Sequence, residues 1–132
     1  TSIQLFAVVI DVESYPGFLP WCLSSKIIKK IDDNNFDADL SVGYKAIDEK
    51  YTSRVQAIFP KEINSKAISG PFKTLDSTWL FKDFNKKECE VNFNIEYEFK
   101  SFLLDKVMGS LFKKATIKML DAFEQRAKTL YR

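Results

Sequence analysis

The stretch from Cys89 to Phe99 alternates apolar and polar residues, and this constrains the fold more than any other feature of the chain. Successive side chains of a β-strand point to opposite faces, so the alternation predicts a strand with one buried and one wet face. Such strands are typical of antiparallel sheets covered on one side. At about 11 residues the strand is long and is expected to be strongly bent. The buried face should carry Cys89, Val91, Phe93, Ile95, Tyr97 and Phe99.

The period of the apolar residues changes after Ser101. Apolar side chains then recur every three or four positions, which predicts an amphipathic helix of more than about 20 residues, with Gly109 as the candidate position for a break. A wide apolar stripe needs a partner, and the one-sided sheet supplies it. We therefore predict an α+β fold in which the long helix lies across a curved antiparallel sheet. The core of the stripe is Leu104, Met108, Leu111, Ala115, Met119, Phe123, Ala127 and Leu130.

The rest of the chain predicts a short helix and five further strands. The helix is expected over residues 3–10, with Ser2 as its N-cap. The 132 residues contain no repeat or linker and predict one domain, 1–132. The chain begins at Thr1 without a methionine and is interpreted as truncated at its start. The further strands are predicted at residues 24–31, 36–44, 51–59, 65–69 and 77–83.

The segment Asp11–Cys22 combines the composition of a turn with large apolar side chains. Pro16 and Pro20 fix φ near about −65° and exclude a long helix, which leaves a turn and roughly one helical turn over residues 17–22. Loops are normally polar, so the apolar side chains should fold back onto an apolar surface, as a plug over the core or as the rim of a pocket. These side chains are Tyr15, Phe18, Leu19 and Trp21.

The chain lacks residue types on which most enzymes and metal sites depend. It has no histidine, which excludes His-based triads, histidine metal ligands and the commonest general base at neutral pH. Cys22 and Cys89 are too far apart for a zinc motif, and the scattered glycines form no phosphate-binding loop. The residues therefore favour a protein without catalytic residues or a metal. The acidic residues least easily dismissed as catalytic are Asp11, Glu13, Asp76 and Asp83.

Charge is unevenly distributed, although the net charge is only +2. Residues 101–132 hold seven Lys or Arg against three acidic residues, which leaves +4 on this segment and −2 on the rest. The segment is either a solvated helix face or a surface for anionic lipid or ribosomal RNA, and DNA is not indicated. No apolar run approaches the roughly 20 residues that span a bilayer. Two distant cysteines favour a reduced, intracellular protein.

Short motifs along almost the whole chain resemble one known family. The most specific is Asp-Val-Glu-x-Tyr-Pro-x-Phe-Leu-Pro-Trp-Cys at residues 11–22. Together the motifs are similar to the coenzyme Q-binding protein family, which includes the RatA-type ribosome-association toxins and belongs to the START-like superfamily of polyketide cyclases. The other motifs, in order, are Phe59-Pro60, Gly70-Pro71-Phe72-Lys73-x-Leu75, Trp79-x-Phe81, Val91-x-Phe93-x-Ile95-x-Tyr97-x-Phe99 and Ala122-Phe123-Glu124-x-Arg126-Ala127.

The resemblance implies a helix-grip fold, in which a curved antiparallel sheet wraps around a long C-terminal helix after two short N-terminal helices. Family members carry a β-strand before the first helix, so the resemblance implies a first strand that this sequence does not contain. Without that strand the sheet would have an exposed edge. The resemblance also implies a location in the bacterial cytoplasm or on the mitochondrial matrix side, peripheral to the inner membrane.

The apolar interior between sheet and helix is the candidate binding site. A bent sheet around one helix leaves a wedge that is hard to fill at normal packing density, and apolar clefts bind lipophilic ligands. The alternative is that the same side chains pack solidly against one another. By the resemblance the ligand is ubiquinone or a similar lipid, and no cofactor is required. The residues expected to line the cavity are Tyr15, Phe18, Leu19, Trp21, Tyr44, Val55, Phe72, Trp79, Phe81, Phe93, Ile95, Tyr97, Leu104, Met108, Leu111 and Phe112.

Three residues allow two interpretations each. Phe72 either belongs to a Gly-Pro turn or closes the cavity mouth as a gate. Trp21 either anchors the plug or donates its indole N–H to a quinone carbonyl. Arg126 either pairs with an acidic residue one turn away or, by the resemblance, holds a carbonyl of the sheet.

Three functions follow, in order of preference. The first is a non-catalytic protein that binds ubiquinone or a similar polyprenyl lipid, in support of respiratory electron transport at a membrane surface. The alternative is a ribosome-association toxin that binds the large ribosomal subunit. The third is a polyketide cyclase-like enzyme. The same residues would specify the fold in all three, so the sequence does not separate a quinone carrier from a ribosome binder.

Overall fold

Six strands and a long C-terminal helix follow two short helices along the chain. The computed structural model describes residues 1–19, 21–44, 47–86 and 88–131, and of residues 44, 47, 48 and 102–112 it describes the backbone alone. The elements are α1 (Ser2–Ile10), a 3-10 helix (Val12–Gly17), β1 (Cys22–Asp32), β2 (Asn35–Tyr44), β3 (Ile47–Ile58), β4 (Glu62–Ser69), β5 (Phe72–Asp83), β6 (Cys89–Phe99) and α2 (Phe102–Leu130).

The strands lie in the sheet in chain order, and each pairs antiparallel with the next. Inward-facing side chains of neighbouring strands therefore form rows across the sheet, one of which joins Val55, Ser65, Ser77 and Ile95. Phe123 of α2 lies against this face, with its ring centroid 5.2 Å from that of Trp79. The predicted α+β helix-grip architecture, with its two short N-terminal helices, is confirmed.

The strand β6 has the predicted bounds and the predicted alternation, but its inward face is only partly covered. Phe99 is buried, Phe93 and Ile95 are half-buried, and Val91 is 41% exposed. β6 is the last strand at one edge of the described sheet. Side chains at an edge have neighbours on one side only, which explains the incomplete burial.

The helix α1 begins one residue earlier than predicted, because Thr1 and not Ser2 is its N-cap. The Thr1 hydroxyl accepts from the Gln4 backbone N–H at 3.3 Å, and the Gln4 side-chain oxygen accepts from the Thr1 amino group at 3.2 Å. This is a capping box. Ser2 instead donates its backbone N–H and its hydroxyl to the Asp83 carboxylate, each at 2.7 Å. Ser2 therefore joins α1 to the end of β5.

The pair Ser2–Asp83 predicts a specific pH dependence. The two hydrogen bonds from Ser2 lower the pKa of Asp83 below its ordinary value of 3.8. A lowered pKa in the folded state stabilises the fold above the pKa of the unfolded chain, and this contribution disappears as the pH falls through the folded-state pKa. We expect Asp83→Ala to lower the thermal midpoint at neutral pH and to converge with the wild type in strong acid. Asp121→Ala, on the exposed face of α2, is the control, and an offset independent of pH would contradict the prediction.

The short helix between α1 and β1 lies earlier than predicted, over Val12–Gly17 instead of residues 17–22. Pro16 is accommodated inside it because the fixed φ of proline suits a single turn. The Tyr15 carbonyl then accepts from the N–H groups of Phe18 and Leu19, at 3.2 and 2.8 Å. These bonds direct the chain towards β1.

The strands β4 and β5 are longer than predicted, with β5 beginning at Phe72 and not at residue 77. The added residues lie at the start of each strand. In β5 a register shift between Phe72 and Thr74 breaks the two-residue period, whereas pairing with a neighbouring strand defines the strand regardless of side chain. The predicted turn at Gly70-Pro71 separates the two strands, and Gly70 has a φ of 117°. Glycine adopts this conformation readily because it has no Cβ atom.

Candidate functional site

The inward faces of the sheet and of α2 do not fill the space between them, and a cavity of about 240 Å³ remains. Its walls come from α1, the 3-10 helix, strands β2 to β6 and the second half of α2. Most of the lining side chains are aliphatic or aromatic. The described lining residues are Val9, Val12, Tyr15, Trp21, Leu40, Val42, Gly43, Tyr51, Ser53, Val55, Ile63, Ser65, Phe72, Leu75, Ser77, Trp79, Phe93, Ile95, Lys114, Ala115, Thr116, Lys118, Met119 and Phe123.

Seven of the side chains predicted to line the cavity are found in its wall, while four others lie outside it. The seven are Tyr15, Trp21, Val55, Phe72, Trp79, Phe93 and Ile95. The four that are not in the wall are Phe18, Leu19, Phe81 and Tyr97. The predicted residues Tyr44, Leu104, Met108, Leu111 and Phe112 have side chains outside the described part of the chain. Whether any of these residues contacts a ligand remains a prediction.

Each of these four residues packs against other side chains instead of lining the cavity. Phe81 packs under α1, with its ring centroid 6.2 Å from that of Phe6. Tyr97 lies near the end of β6 against Phe99, at 5.9 Å. Leu19 is buried within the main core cluster. Phe18 faces α2, as described next. The period of a strand assigns a residue to a face, but it does not tell whether that face meets a helix or an empty space.

An aromatic cluster fixes the loop between α1 and β1 over the end of the cavity. Phe123 of α2 contacts Tyr15 and Phe18 edge-on, at centroid distances of 5.2 and 5.3 Å. Tyr15 also donates its hydroxyl to the Val9 carbonyl. Burial raises the pKa of Tyr15 well above its ordinary value, so this hydroxyl remains a donor at neutral pH. The predicted plug therefore exists, and Tyr15 and Trp21 of the same loop also form part of the cavity rim.

The contact of Arg126 differs from both interpretations of the sequence. Its guanidinium carbon lies 5.3 Å from the centroid of the Phe18 ring, which is a cation–π arrangement. Among the described residues the ion pair on this part of α2 joins Glu124 to Lys128, at 3.3 Å. Arg126 thus covers the outer side of the plug.

The Phe72 side chain is buried between two other rings. Its centroid lies 5.6 Å from that of Tyr51 and 5.0 Å from that of Phe99. Phe72 is also in the cavity wall. It belongs to β5 and not to the preceding turn, so the structure describes a packed wall residue at the position interpreted as turn or gate.

Sequence reasoning missed Phe123 and the polar members of the lining. Phe123 was assigned to the stripe of α2, but nothing in its spacing showed that it contacts the plug. Ser53 follows Tyr51 at the next inward position of the alternating strand, and this period could have identified both as wall residues. Ser65 and Ser77 required the strand register, because they lie on neighbouring strands.

Polar groups in the wall are concentrated on the sheet. Ser65 and Ser77 place their hydroxyl oxygens 2.5 Å apart, and either can donate. Burial raises the pKa of Tyr51 well above its ordinary value, so its hydroxyl stays protonated. Beside the plug, burial raises the pKa of the Cys22 thiol to about 11, so it is not a reactive thiolate at neutral pH.

The described lining of the cavity reaches the surface at α2. Lys114 and Lys118 are the exposed members of the described lining. Ser53 and Val55, on the sheet wall, are buried. The sheet wall is therefore the buried side of the cavity, and the described lining reaches the surface beside the two lysines.

The acidic residues considered as catalytic lie away from the cavity wall. Asp11 accepts from the Ser14 hydroxyl, Glu13 from the Ile27 N–H, and Asp83 from Ser2. Asp76 lies opposite Lys66 and Glu96 in the strand register, outside the described lining, and its Oδ1 is buried without a hydrogen-bond partner among the described residues. In the described residues no three His, Cys, Asp or Glu side chains come together as metal ligands. No described helix is both long and apolar enough to span a bilayer.

Comparison of the sequence with known proteins finds relatives with two kinds of name. The ribosome association toxin RatA of Rickettsia prowazekii is 42% identical over 129 residues, which cover 95% of this chain and 87% of that protein. The mitochondrial coenzyme Q-binding protein COQ10 of Dictyostelium discoideum is 37% identical over 131 residues, which cover 97% of this chain and 64% of that protein.

Structural comparison finds the same fold in an enzyme. The crystal structure of the Zhui aromatase/cyclase from Streptomyces sp. R1128 matches with a TM-score of 0.87, covering 99% of this chain and 88% of that one. At 12% identity this likeness concerns the fold alone. The family model described as polyketide cyclase/dehydrase and lipid transport matches residues 3–124. The chain therefore belongs to the polyketide cyclase/dehydrase and lipid transport family.

Proposed function

We propose that this protein is a non-catalytic carrier that binds a polyprenyl quinone, such as ubiquinone, or a similar lipid in the cavity between the sheet and α2. The observation that supports this most is the cavity itself, about 240 Å³ with a mostly apolar and aromatic wall. Preformed apolar pockets with a few polar groups are typical sites for lipophilic ligands. The similarity to a coenzyme Q-binding protein supports the choice of a quinone.

Burial of apolar surface would supply the affinity. Each methylene-sized group removed from water contributes about 0.8 kcal/mol. About ten such groups give a binding free energy of roughly −8 kcal/mol, which corresponds to a micromolar dissociation constant. The described wall holds Trp79 and Phe93, whose ring centroids are 4.5 Å apart, as flat surfaces for a ring. The described wall includes no carboxylate and the chain has no histidine, which favours binding over acid–base catalysis.

The first test identifies the ligand that is bound to the purified protein. Purified protein would be extracted with organic solvent, and the extract analysed for quinones and phospholipids by mass spectrometry. We expect about one bound molecule per chain in the wild type and little in Ala115→Phe, whose ring would enter the cavity from α2. Gln125→Phe, on the exposed side of the same helix, is the matched control and should keep the ligand. An empty extract from folded wild type, together with unchanged Trp21 and Trp79 fluorescence on adding ubiquinone, would refute the carrier function.

The surface beside the cavity opening has the composition of one that binds an anionic membrane. The membrane would supply the lipid and is where respiratory electron transport takes place. Ile117 is 69% exposed and Leu120 is 37% exposed, and both lie on α2 beside Lys113, Lys114 and Lys118. We call these five residues the basic face. Exposed apolar side chains among lysines are typical of surfaces that bind anionic bilayers. This surface is compatible with the matrix side of the mitochondrial inner membrane or with the bacterial cytoplasm.

A second candidate function is association with the large ribosomal subunit, and the similarity to a ribosome association toxin favours it. The same basic face would contact ribosomal RNA, whose phosphates attract lysine. The two candidates differ in what the cavity does. A carrier needs the cavity to be occupied, whereas a ribosome binder uses the outer surface alone.

One set of variants tests the basic face against both partners. Replacing Lys113, Lys114 and Lys118 by glutamate should weaken binding to phosphatidylglycerol vesicles at least about a hundredfold, since each lysine near a membrane contributes roughly 1 kcal/mol. The control, with the same change in charge, replaces Lys26, Lys29 and Lys61, which are exposed on other elements. The same proteins would be sedimented with large ribosomal subunits at rising salt. Vesicle binding lost equally in both triple variants would exclude the basic face as the membrane site.

A further inference from the structure

The sheet wall of the cavity carries three serines that lie together. Ser65 of β4 is directly opposite both Val55 of β3 and Ser77 of β5, and Ser53 is the next inward residue along β3. Inward neighbours on adjacent strands are about 5 Å apart and diagonal neighbours about 7–8 Å. All three serines line the cavity. We call Ser53, Ser65 and Ser77 the serine patch.

The serine patch has more hydroxyl hydrogens than the protein uses. One hydrogen lies between the oxygens of Ser65 and Ser77, 2.5 Å apart, so the hydrogen of the second hydroxyl is available to another group. The Ser53 hydroxyl has no hydrogen-bond partner among the residues that the structure describes. Ser53 is nevertheless only 8% exposed, and it lines the cavity. Tyr51, at the next inward position, adds a protonated phenol to the same wall.

A hydroxyl that faces an apolar cavity without a partner costs free energy, whereas an alanine at the same place would not. The Ser53 hydroxyl therefore contributes little to the stability of the fold, while Ser65 and Ser77 satisfy each other. A ligand that carries hydrogen-bond acceptors, such as ring carbonyl or ether oxygens, would recover that free energy. A hydrocarbon would not, because it has no atom to accept the hydroxyl hydrogens.

The size and the opening of the cavity determine how such a ligand would lie. An engineered cavity of about 150 Å³ takes benzene, so a cavity of about 240 Å³ holds one substituted ring and a short chain. The serine patch is on the deep wall, and the exposed lysines Lys114 and Lys118 mark the opening. A longer chain must therefore leave past α2.

We propose that the serine patch binds the oxygen-bearing ring of the ligand, ring first, with the chain leaving past Lys114 and Lys118. The proposal rests on the proposed carrier function and specifies its ligand class. The ligand is an amphiphile with acceptor oxygens on a compact ring, and the protein selects it over a hydrocarbon of the same shape.

The test compares a ubiquinone with one isoprenoid unit and prenylbenzene, which has a similar ring and chain without oxygens. Quinone affinity is measured on the full chain by quenching of Trp21 and Trp79, and prenylbenzene affinity by calorimetry. We expect Ser53→Ala and the double variant Ser65→Ala/Ser77→Ala each to weaken quinone binding about three- to tenfold, the equivalent of one hydrogen bond, and to leave prenylbenzene binding unchanged. Both variants should keep or raise the thermal midpoint, because Ser53 has no partner to lose and the double variant removes both partners of the Ser65–Ser77 hydrogen bond. Ser69→Ala, exposed on β4, is the control.

The outcomes separate the proposal from the function on which it rests. Selective loss of quinone binding in stable variants supports the serine patch. Equal loss for both probes, or quinone binding unchanged in both serine variants, overturns the serine patch and leaves the carrier function standing. Failure of the wild type to bind either probe overturns both.

Discussion

Replacing Phe123 by alanine is expected to lower the free energy of unfolding by about 3–5 kcal/mol, the usual cost of deleting a buried phenylalanine. Phe123 is 6% exposed, and its ring contacts Tyr15, Phe18 and Trp79. It is thus the point at which α2, the plug and the sheet meet. Its loss would leave a void that joins the cavity and would remove the surface against which the plug packs.

Urea unfolding followed by circular dichroism measures this effect. Ile117→Ala, an exposed position on the same helix, should change the free energy of unfolding by no more than about 0.5 kcal/mol. Limited proteolysis should also cut Phe123→Ala within residues 11–22 faster than it cuts the wild type. A cost below about 1 kcal/mol, with unchanged proteolysis, would mean that the plug is held by other contacts.

Replacing Gly70 by alanine has the second largest expected effect. Gly70 has a φ of 117°, a conformation that L-residues with a side chain adopt only under strain. A Cβ atom at this position would lie 2.5 Å from the Cβ of Tyr51 and 2.9 Å from the Lys50 carbonyl oxygen. We expect a loss of at least about 2 kcal/mol in the free energy of unfolding, since backbone strain alone costs about 1–3 kcal/mol.

Gly17→Ala is the matched control for Gly70→Ala. An added Cβ at Gly17 meets no atom within 4 Å and requires no unusual φ. It should leave the protein as stable as the wild type or more stable by about 0.4–1 kcal/mol, because it reduces the freedom of the unfolded chain. Because the clash displaces Tyr51, which lines the cavity, Gly70→Ala should also weaken quinone binding. Equal stability of the two alanine variants would show that the β4–β5 turn can relax without cost.

Two sets of variants separate the two candidate functions. Ala115→Phe fills the cavity and leaves the lysines in place, while the triple glutamate variant changes the basic face, of which Lys114 and Lys118 also line the exposed rim of the cavity. A quinone carrier should lose its bound ligand in Ala115→Phe and its binding to membranes in the triple glutamate variant. A ribosome binder should bind the large ribosomal subunit normally as Ala115→Phe and should lose this binding only in the triple glutamate variant.

Much of the architecture follows from local sequence periods. The alternation over Cys89–Phe99 predicted β6 to the residue, and the three- and four-residue spacing after Ser101 predicted α2. The periods sufficed because a side chain's position along a strand or helix decides which face it occupies. The one-sided pattern of β6 and the wide stripe of α2 then required each other as partners.

Predictions from local sequence were wrong where a side chain bonds to a distant element instead of to its own helix. Ser2 satisfies the preferences of an N-cap, yet it donates to Asp83, 81 positions away, while Thr1 caps the helix. Arg126 shares its helix with Asp121 and Glu124, yet it lies over Phe18. In both cases the partner comes from another element, and its proximity depends on the packing of α1 and α2.

The sequence by itself determined the fold class, the faces of β6, the inward positions Ala115, Met119, Phe123 and Ala127 of α2, the apolar plug and the lack of histidine. Only the tertiary structure decided which inward residues face a cavity and which face another side chain. Phe81 and Trp79 lie on the same face of β5, but Phe81 packs under α1 and Trp79 lines the cavity. The physical reason is that period assigns a face, whereas the distance between that face and the next layer depends on strand register and on where α1, α2 and the plug pack.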